Sequence, residues 1–285
     1  MALIKINGLS FAYNGRDVLS DVTLSMQKGT VTGIIGPNGS GKSTLLRLIN
    51  ALLAPKSGNV VIKGKDVRSY STRELARMVA LVPQNSRLDF DFTVLDVVLM
   101  GRHPWLSRFQ GESDKDLAIA RASMAHSGIT HLADRPVTRL SGGEWQRVVV
   151  ARAFAQQTPV LLLDEPITGL DIRYQLEVME FMRASAVRTG MTIVCVLHDL
   201  NLALHYCDNI ALLDGGRLRA FGFPSQLRGE VVDEVYGVRL IKIPHPQTGE
   251  PCLFPRYGAA ADGPEFCELD AGMTRQSGEA KIFQA

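Results

Sequence analysis

One short stretch, Gly36-Pro-Asn-Gly-Ser-Gly-Lys-Ser-Thr44, constrains the fold of this chain more than any other. An apolar run from Val31 to Ile35 precedes it, and apolar residues recur at helical spacing from Leu45 to Leu53 after it. A glycine-rich loop between a strand and a helix N-terminus turns successive backbone N–H groups into one concavity, where the helix dipole adds positive charge. The sequence therefore predicts a phosphate-binding loop.

The lysine and serine of this loop are expected to bind the nucleotide phosphates and the metal ion. Lys42 can reach the β and γ phosphates of a nucleotide, and the Ser43 hydroxyl can ligate Mg²⁺. A glycine-rich turn with a solvated lysine is the alternative, and the flanking strand and helix favour phosphate binding. The residues predicted to contact the nucleotide are Gly36, Pro37, Asn38, Gly39, Ser40, Gly41, Lys42, Ser43 and Thr44.

Composition excludes several classes of protein. The chain has 285 residues, of which 46% are hydrophobic and 21% charged, as in ordinary globular proteins. Its net charge of +2 argues against a nucleic-acid partner, and no apolar window approaches the ~18 residues of a spanning helix. The N-terminus lacks a signal-peptide core, and the four cysteines lack C-x-x-C spacing, so a reducing, cytoplasmic protein is expected.

A second helix N-terminus has the features of an anion site. Ser141 and Glu144 form a capping box that predicts a helix start, and Gly142 and Gly143 leave the first backbone N–H groups bare. A plain capped helix is the alternative. Because capping needs no double glycine, the pattern favours phosphate recognition here as well.

Polar residues follow three further apolar runs. Asp164 and Glu165 follow the run Val160–Leu163, His198 follows Ile193–Leu197, and Gln84 follows a strand predicted at 80–83. In isolation His198 reads more simply as a strand-end histidine. Because ligands bind beyond the carboxyl ends of strands in an α/β sheet, these residues and the phosphate loop are expected to converge. Such a set suits phosphoryl transfer to water.

The chain ahead of the phosphate loop reads as a hairpin, with strands at 3–10 and 18–26 around Asn14-Gly15. Tyr13 precedes this turn, where stacking on adenine and an ordinary turn aromatic are equally open readings. The segment from 85 to about 157 lacks strand patterns and is predicted to be a helical subdomain inserted into the sheet domain.

In combination these motifs resemble the ATP-binding subunits of ABC transporters over about residues 3–222. The loop at 36–44 is similar to the Walker A motif, the residues ending at Gln84 to the Q-loop, and Leu140–Arg147 to the family signature. The resemblance also covers Walker B with Glu165 as the catalytic glutamate, the D-loop with Asp171, the switch histidine at His198 and the A-loop aromatic at Tyr13.

The resemblance implies an α/β fold, with a P-loop NTPase (RecA-like) core, an antiparallel β subdomain and an inserted helical subdomain. The implied ATPase domain spans 1–222, with its helical subdomain at about 85–157. The residues after it predict a small extension at 223–257 and a polar tail at 258–285 that is mobile or loosely packed, because it is rich in Ala, Gly and polar residues. Within the extension, a helix at 224–236 and a hairpin of 238–243 with 251–254 are expected.

The resemblance also implies a head-to-tail pair of identical ATPase subunits with ATP and Mg²⁺ as cofactors. Each ATP would lie between the Walker motifs of one chain and Ser141, Gly142 and Gly143 of the other, with the D-loop Asp171 also at the nucleotide. Ser43, Gln84 and Asp164 would bind Mg²⁺. Glu165 would polarise the attacking water and His198 would contact the γ-phosphate.

Finer features are similar to importers of iron–siderophore, haem or cobalamin complexes: Asp171–Gln175, His198–Ala203, the Gly101-Arg102 loop and Ile243–Pro251. They imply a membrane permease, an extracytoplasmic substrate-binding protein and a place at the cytoplasmic face of the membrane. Ile167 and Tyr174 depart from the usual residues. The alternatives are another importer class, a soluble ABC ATPase acting on nucleic acid or ribosomes, or a nucleotide-binding regulator, which would lack Glu165.

The segment Gly101–Phe109 is predicted to be irregular and to dock the permease, because Trp and Arg are enriched at interfaces. Arg102, Trp105 and Arg108 are its expected contact residues. An ordinary exposed loop is the alternative.

Overall fold

The computed structural model describes residues 2–84, 90–107, 111–245, 249 and 251–256. The predicted tail at 258–285, Arg108 and Phe109 lie outside these residues. The strands are β1 (Ala2–Tyr13), β2 (Arg16–Gln27), β3 (Val31–Ile35), β4 (Ser57–Ile62), β5 (Lys65–Asp66), β6 (Val79–Val82), β7 (Val160–Asp164), β8 (Thr192–Val196), β9 (Asn209–Asp214), β10 (Arg217–Gly222), β11 (Leu240–Pro244) and β12 (Pro251–Pro255). The α-helices are α1 (Lys42–Ile49), α2 (Thr72–Ala76), α3 (Val94–Leu99), α4 (Asp114–His126), α5 (Gly142–Ala155), α6 (Ile172–Thr189), α7 (Leu200–Tyr206) and α8 (Gly229–Tyr236).

The central sheet has six strands in the order β10-β9-β3-β8-β7-β6. From β9 to β6 every neighbouring pair is parallel, and only β10 joins antiparallel. All residues of β3, β7 and β8 are buried, which explains why their sequences are mostly apolar. Because these strands are parallel neighbours, the residues that follow them share one edge of the sheet.

A second sheet, antiparallel in the order β2-β1-β4-β5, covers α1. The predicted hairpin is present and longer than expected, with Asn14 at φ 49° and Gly15 at φ 82° in its turn. Its inward side chains pack with α1 and one face of the central sheet, in a core that includes Leu9, Leu19 and Leu46.

Between β6 and β7, the described residues form helices and no strand, as predicted. Helices α3, α4 and α5 pack on one another around a separate apolar cluster that includes Val97, Met124 and Val148. The expected irregular structure from Gly101 is wrong for its first part, because Met100–Trp105 form a 3₁₀ helix. A side chain at Gly101 would clash with the Arg152 carbonyl, so this turn lies directly on α5.

The region after β10 partly corrects the sequence prediction. A continuous helix over 224–236 is wrong: Pro224–Gln226 form a 3₁₀ turn, and Leu227 and Arg228 are extended before α8 begins. The Gln226 carboxamide accepts a hydrogen bond from the Phe223 N–H, which closes the turn locally. The predicted hairpin of β11 and β12 is confirmed.

These elements confirm the predicted fold class, an α/β core with an antiparallel β subdomain and an inserted helical region. Of the helices in the described residues, none is both long and apolar enough to cross a bilayer.

Candidate active site

The glycine-rich loop leaves β3 and enters α1 in a conformation that its glycines require. Gly36 has φ 144°, and a side chain there would clash with the Leu213 carbonyl of the neighbouring strand β9. Gly41 has φ 97° and occupies the N-cap of α1. The loop can therefore lie close against the sheet edge only because these positions lack a Cβ atom.

Lys42 is buried and points back into its own loop. Its Nζ donates hydrogen bonds to the carbonyl oxygens of Gly36 at 2.7 Å and Pro37 at 2.8 Å. Burial lowers the pKa of Lys42, while the carboxylates of Glu165 and Asp164 oppose that shift. The ammonium group thus lies in the loop's concavity and within the field of both acids.

Ser43 and Asp164 meet across the end of the sheet. The Ser43 hydroxyl donates to Asp164 Oδ1 at 2.8 Å, and burial raises the pKa of this carboxyl group, with the Ser43 hydrogen bond opposing the rise. A hydroxyl and a carboxylate beside a phosphate loop form the oxygen-rich donor set that Mg²⁺ prefers. The residues present therefore fit a magnesium ion.

Glu165 and His198 also meet at this edge. His198 Nε2 lies 2.7 Å from Glu165 Oε1, and the Thr168 hydroxyl donates to Glu165 Oε2 at 3.3 Å. The pairing of β7 with β8 places Asp164 beside Val196, so the residues that follow each strand are neighbours. The Glu165 side chain is 11% exposed and that of His198 is 43% exposed, so the pair borders solvent.

The backbone of Glu165 is unusual in a way that the sequence did not indicate. Its φ is 54°, in the left-handed region that few residues other than glycine adopt. Such conformations cluster at functional sites, where surrounding structure holds them. Here the conformation turns the chain directly after β7, while the Gln146 amide from α5 donates to the Pro166 carbonyl at 3.2 Å. Sequence reasoning missed Gln146, since its partner lies 20 residues further along the chain.

Gln84 and Tyr13 are two further residues predicted for this site. Gln84 is exposed and follows β6, which is the neighbour of β7, and residues 85–89 after it lie outside the described part. Tyr13 is 41% exposed at the end of β1, where its ring lies edge-on to Phe11 at 4.7 Å. These positions leave both readings of Tyr13 open.

The second predicted anion site has its expected local structure. Ser141 and Glu144 form the capping box: the Glu144 N–H donates to the Ser141 hydroxyl at 3.3 Å, and the Ser141 N–H donates to Glu144 Oε2 at 2.7 Å. Ser141 and Gly142 are exposed, and a Cβ at Gly142 would meet open space. Asp171 caps α6 by accepting a hydrogen bond from the Tyr174 N–H at 3.1 Å, and it is exposed.

The expected docking role of Arg102 is wrong. Its side chain is buried, with Nε donating to Asp116 Oδ1 at 2.9 Å and Nη1 to the Ala155 carbonyl at 2.7 Å. Arg102 therefore caps the C-terminus of α5 and ties it to α4. Trp105 is 40% exposed, and its Nε1 donates to the Gln156 carbonyl at 2.7 Å.

Parallel strands that carry a phosphate loop, two carboxylates and a histidine to one sheet edge define a P-loop nucleoside triphosphatase. The chain belongs to the ABC transporter family, whose model matches residues 19–168, and it is an ABC ATPase. This confirms the family that the motifs indicated.

Three curated relatives are ATP-binding proteins for import or transport. A cobalamin import ATP-binding protein of Halobacterium salinarum is 41% identical over 91% of this chain, which spans 66% of that protein, just under two thirds. A ferric enterobactin transport ATP-binding protein of Escherichia coli is 37% identical, over 90% of this chain and 94% of that protein. A hemin import ATP-binding protein of Thermobifida fusca is 42% identical, over 87% of this chain and 86% of that protein.

Solved structures agree with these relatives. A metal-chelate type ABC transporter in an inward-facing conformation has a TM-score of 0.79 at 27% identity, covering 90% of this chain and 99% of that chain. A dimeric ATP-binding cassette in a post-hydrolysis state, bound to ADP and Pi, has a TM-score of 0.71 at 27% identity, covering 78% and 98%.

Proposed function

We propose that this chain is the ATP-hydrolysing subunit of an ABC importer and energises uptake of an iron–siderophore, haem or cobalamin-type chelate through a separate permease. The contact of Glu165 with His198, at the edge that carries Lys42, supports hydrolysis most directly. The cargo class rests on the relatives, which serve cobalamin, ferric enterobactin and hemin uptake.

The bound nucleotide is the substrate, and the loop binds its phosphates. Lys42 exchanges its bonds with the Gly36 and Pro37 carbonyls for the β and γ phosphate oxygens, beside the N–H groups at the start of α1. Ser43, Asp164 and Gln84 would hold Mg²⁺, which when bound neutralises negative charge on the phosphate oxygens.

Glu165 orients the attacking water and accepts its proton as the water oxygen bonds to the γ-phosphorus. The bond from that phosphorus to the β–γ bridging oxygen breaks, giving ADP and phosphate. His198, hydrogen-bonded to Glu165, is placed to contact the γ-phosphate. Tyr13 would stack on the adenine, and its ring at the end of β1 is 41% exposed.

Hydrolysis in this proposal needs two copies of the chain. Ser141 and Gly142 are exposed at the N-terminus of α5, Gly143 is half-buried, and Asp171 is exposed at the start of α6. A head-to-tail dimer would bring these residues of one copy to the nucleotide held by the other. The dimeric cassette among the structural neighbours, which is bound to ADP and Pi, supports a dimer.

The remaining partners follow from the importer class. The dimer would bind the permease at the cytoplasmic face of the membrane, and a substrate-binding protein outside the membrane would deliver the chelate. Arg102 is buried and Arg108 lies outside the described residues, so Trp105 is the expected contact residue of the 101–109 docking segment that the described structure shows exposed.

Glu165→Gln tests the catalytic proposal. The amide keeps the size of the side chain but cannot accept the proton, so ATP should still bind while kcat falls by roughly 10²–10⁴. The loss of a negative charge facing the γ-phosphate should also prolong the ATP-bound dimer, which size exclusion with ATP and Mg²⁺ detects.

Glu180→Gln, an exposed glutamate on α6, is the matched control and should behave as wild type. A Glu165→Gln protein that hydrolyses ATP at the wild-type rate and stays monomeric would contradict both the catalytic role and the shared site.

A further inference from the structure

Asn201 forms a contact that the proposed chemistry does not use. Its side-chain amide Nδ2 donates to the Leu253 carbonyl at 3.1 Å, and the Leu253 N–H donates to Asn201 Oδ1 at 2.7 Å. The carboxamide thus pairs with the outer edge of β12 as a neighbouring strand would. We call these two hydrogen bonds the Asn201–Leu253 clamp.

The clamp holds the helix turn that directly follows the switch histidine. The Leu197 N–H donates to the Ile34 carbonyl at 3.1 Å, which fixes the chain before His198 to the central sheet. After His198, the Asp199 carboxylate caps α7 by accepting the N–H groups of Asn201 at 2.8 Å and Leu202 at 3.0 Å. His198 therefore lies between a sheet contact and a capped turn to which β12 is attached.

The hairpin is itself fixed to the body of the protein. Val232 and Val235 of α8 are buried in the same core as the central sheet and Ala203 of α7. Asp233 accepts the Leu240 N–H at 2.9 Å, which fixes the beginning of β11 to α8. The hairpin is thus attached to α8 through β11 and to α7 through the clamp on β12.

We propose that the C-terminal hairpin positions the switch histidine, and that Asn201 is the positioning residue through which it acts. This inference rests on the proposed function, since His198 needs a γ-phosphate to contact. The clamp restrains the first turn of α7 and so keeps His198 Nε2 within hydrogen-bond distance of Glu165 Oε1. Asn201 lies within the stretch His198–Ala203 that the resemblance marked, and Leu253 lies in β12, the strand that begins at Pro251, where the other marked stretch ends.

Leu253 offers a clean test because its N–H and its carbonyl both bond Asn201. Leu253→Pro removes the N–H without removing a hydrogen bond between β11 and β12, since proline is tolerated where the N–H faces away from the ladder. Leu253→Ala is the matched control, because it removes the side chain and keeps the N–H. Both are made in the full chain.

In Leu253→Pro, kcat for ATP should fall roughly tenfold, within the ~10²-fold that misplacement of a reacting group costs, while KM for ATP stays unchanged. Hydrogen exchange of the amides at 200–206, measured without ATP, should accelerate in the same variant. Leu253→Ala should match wild type in both measurements. Equal kcat in the Pro and Ala variants would overturn the proposal.

Asn201→Ala removes both hydrogen bonds of the clamp from the α7 side. It tests the positioning role independently if Leu253→Pro does not fold. It should lower kcat as Leu253→Pro does, and the double variant should be no worse than either single one. Asn59→Ala, which removes another side-chain amide contact far from α7, is its control. Asn201→Ala with wild-type kcat overturns the positioning role, whereas wild-type protein without ATPase activity would instead count against the proposed function.

Discussion

The chain has two helix N-termini with glycines suited to phosphate, and their surroundings differ. At α1 the loop is built into the sheet edge, with Lys42 buried and bonded to the carbonyls of its own loop. At α5 the end of the helix is exposed, its capping box is satisfied within the same turn, and a side chain added at Gly142 would meet open space.

This contrast separates binding from catalysis in the proposed cycle. The N-terminus of α1 has its lysine, its proposed metal ligands and its acids within one chain, so a single chain should suffice to bind nucleotide. At the N-terminus of α5, Glu144 is engaged by its capping box and by Arg135 Nη1 at 3.3 Å, and in the proposal the phosphate for this helix end comes from a second chain. Changes at α1 should thus weaken ATP binding, and changes at α5 should reduce turnover alone.

Of the changes that test this contrast between α1 and α5, Gly142→Val should have the largest effect, a fall in kcat. Because open space surrounds the position, the variant should fold and a monomer should bind ATP as wild type does. The added side chain would block the partner's phosphate, and loss of a donor to a reacting anion costs roughly 10²–10³ in kcat.

Gly229→Val is the control, because Gly229 also opens a helix and is also surrounded by open space. Steady-state hydrolysis measures kcat, and titration calorimetry separately measures ATP binding by the monomer. Weaker ATP binding by Gly142→Val in the monomer would show that the two helix ends act within one chain.

Lys42→Met should produce the complementary, smaller effect. The side chain keeps its bulk but loses its charge-assisted hydrogen bonds to phosphate, each worth about 1.5–3 kcal/mol, so the Kd for ATP should rise roughly 10- to 100-fold. Calorimetry on the purified chain measures it, with the exposed Lys28→Met as control. Unchanged affinity would remove the phosphate role assigned to this loop.

Much of the fold could be predicted because apolar runs bounded by polar residues mark buried parallel strands. The convergence of Gly36, Asp164, Glu165 and His198 followed from that pattern and from the rule for strand ends. The extended link at Leu227 could not be predicted in this way. Leucine and arginine favour helix, and the turn closed by Gln226 with the packing of Leu227 on the core overrides that preference.

The site was less completely predictable for a similar reason. The aromatic, basic segment around Arg102 does not indicate whether this side chain faces solvent or caps a helix. The partners that bury it, Asp116 and Ala155, lie outside that segment. The left-handed backbone of Glu165 leaves no trace in a sequence that has no glycine there. The clamp likewise depends on a backbone 52 residues away from Asn201.

The smallest effect concerns pH and the metal ligands of the α1 site. Burial raises the pKa of Asp164, so this carboxyl group takes up a proton at a less acidic pH than an exposed aspartate does. Protonation removes a negative oxygen ligand, and the affinity for Mg·ATP should therefore decline as pH falls towards this pKa. Because the pKa is raised, the decline begins at a less acidic pH than for an exposed aspartate, and near and below the pKa it steepens to about tenfold per pH unit.

ATP itself takes up a proton in this range, and Asp164→Asn separates the two contributions. The variant should bind Mg·ATP more weakly at every pH, and its remaining pH dependence should be that of the nucleotide alone. The difference between wild type and Asp164→Asn, measured by calorimetry from pH 8 to 5.5, isolates the carboxylate. If that difference stays constant with pH, Asp164 is not the titrating ligand, and the metal contact proposed at α1 must be made by other groups.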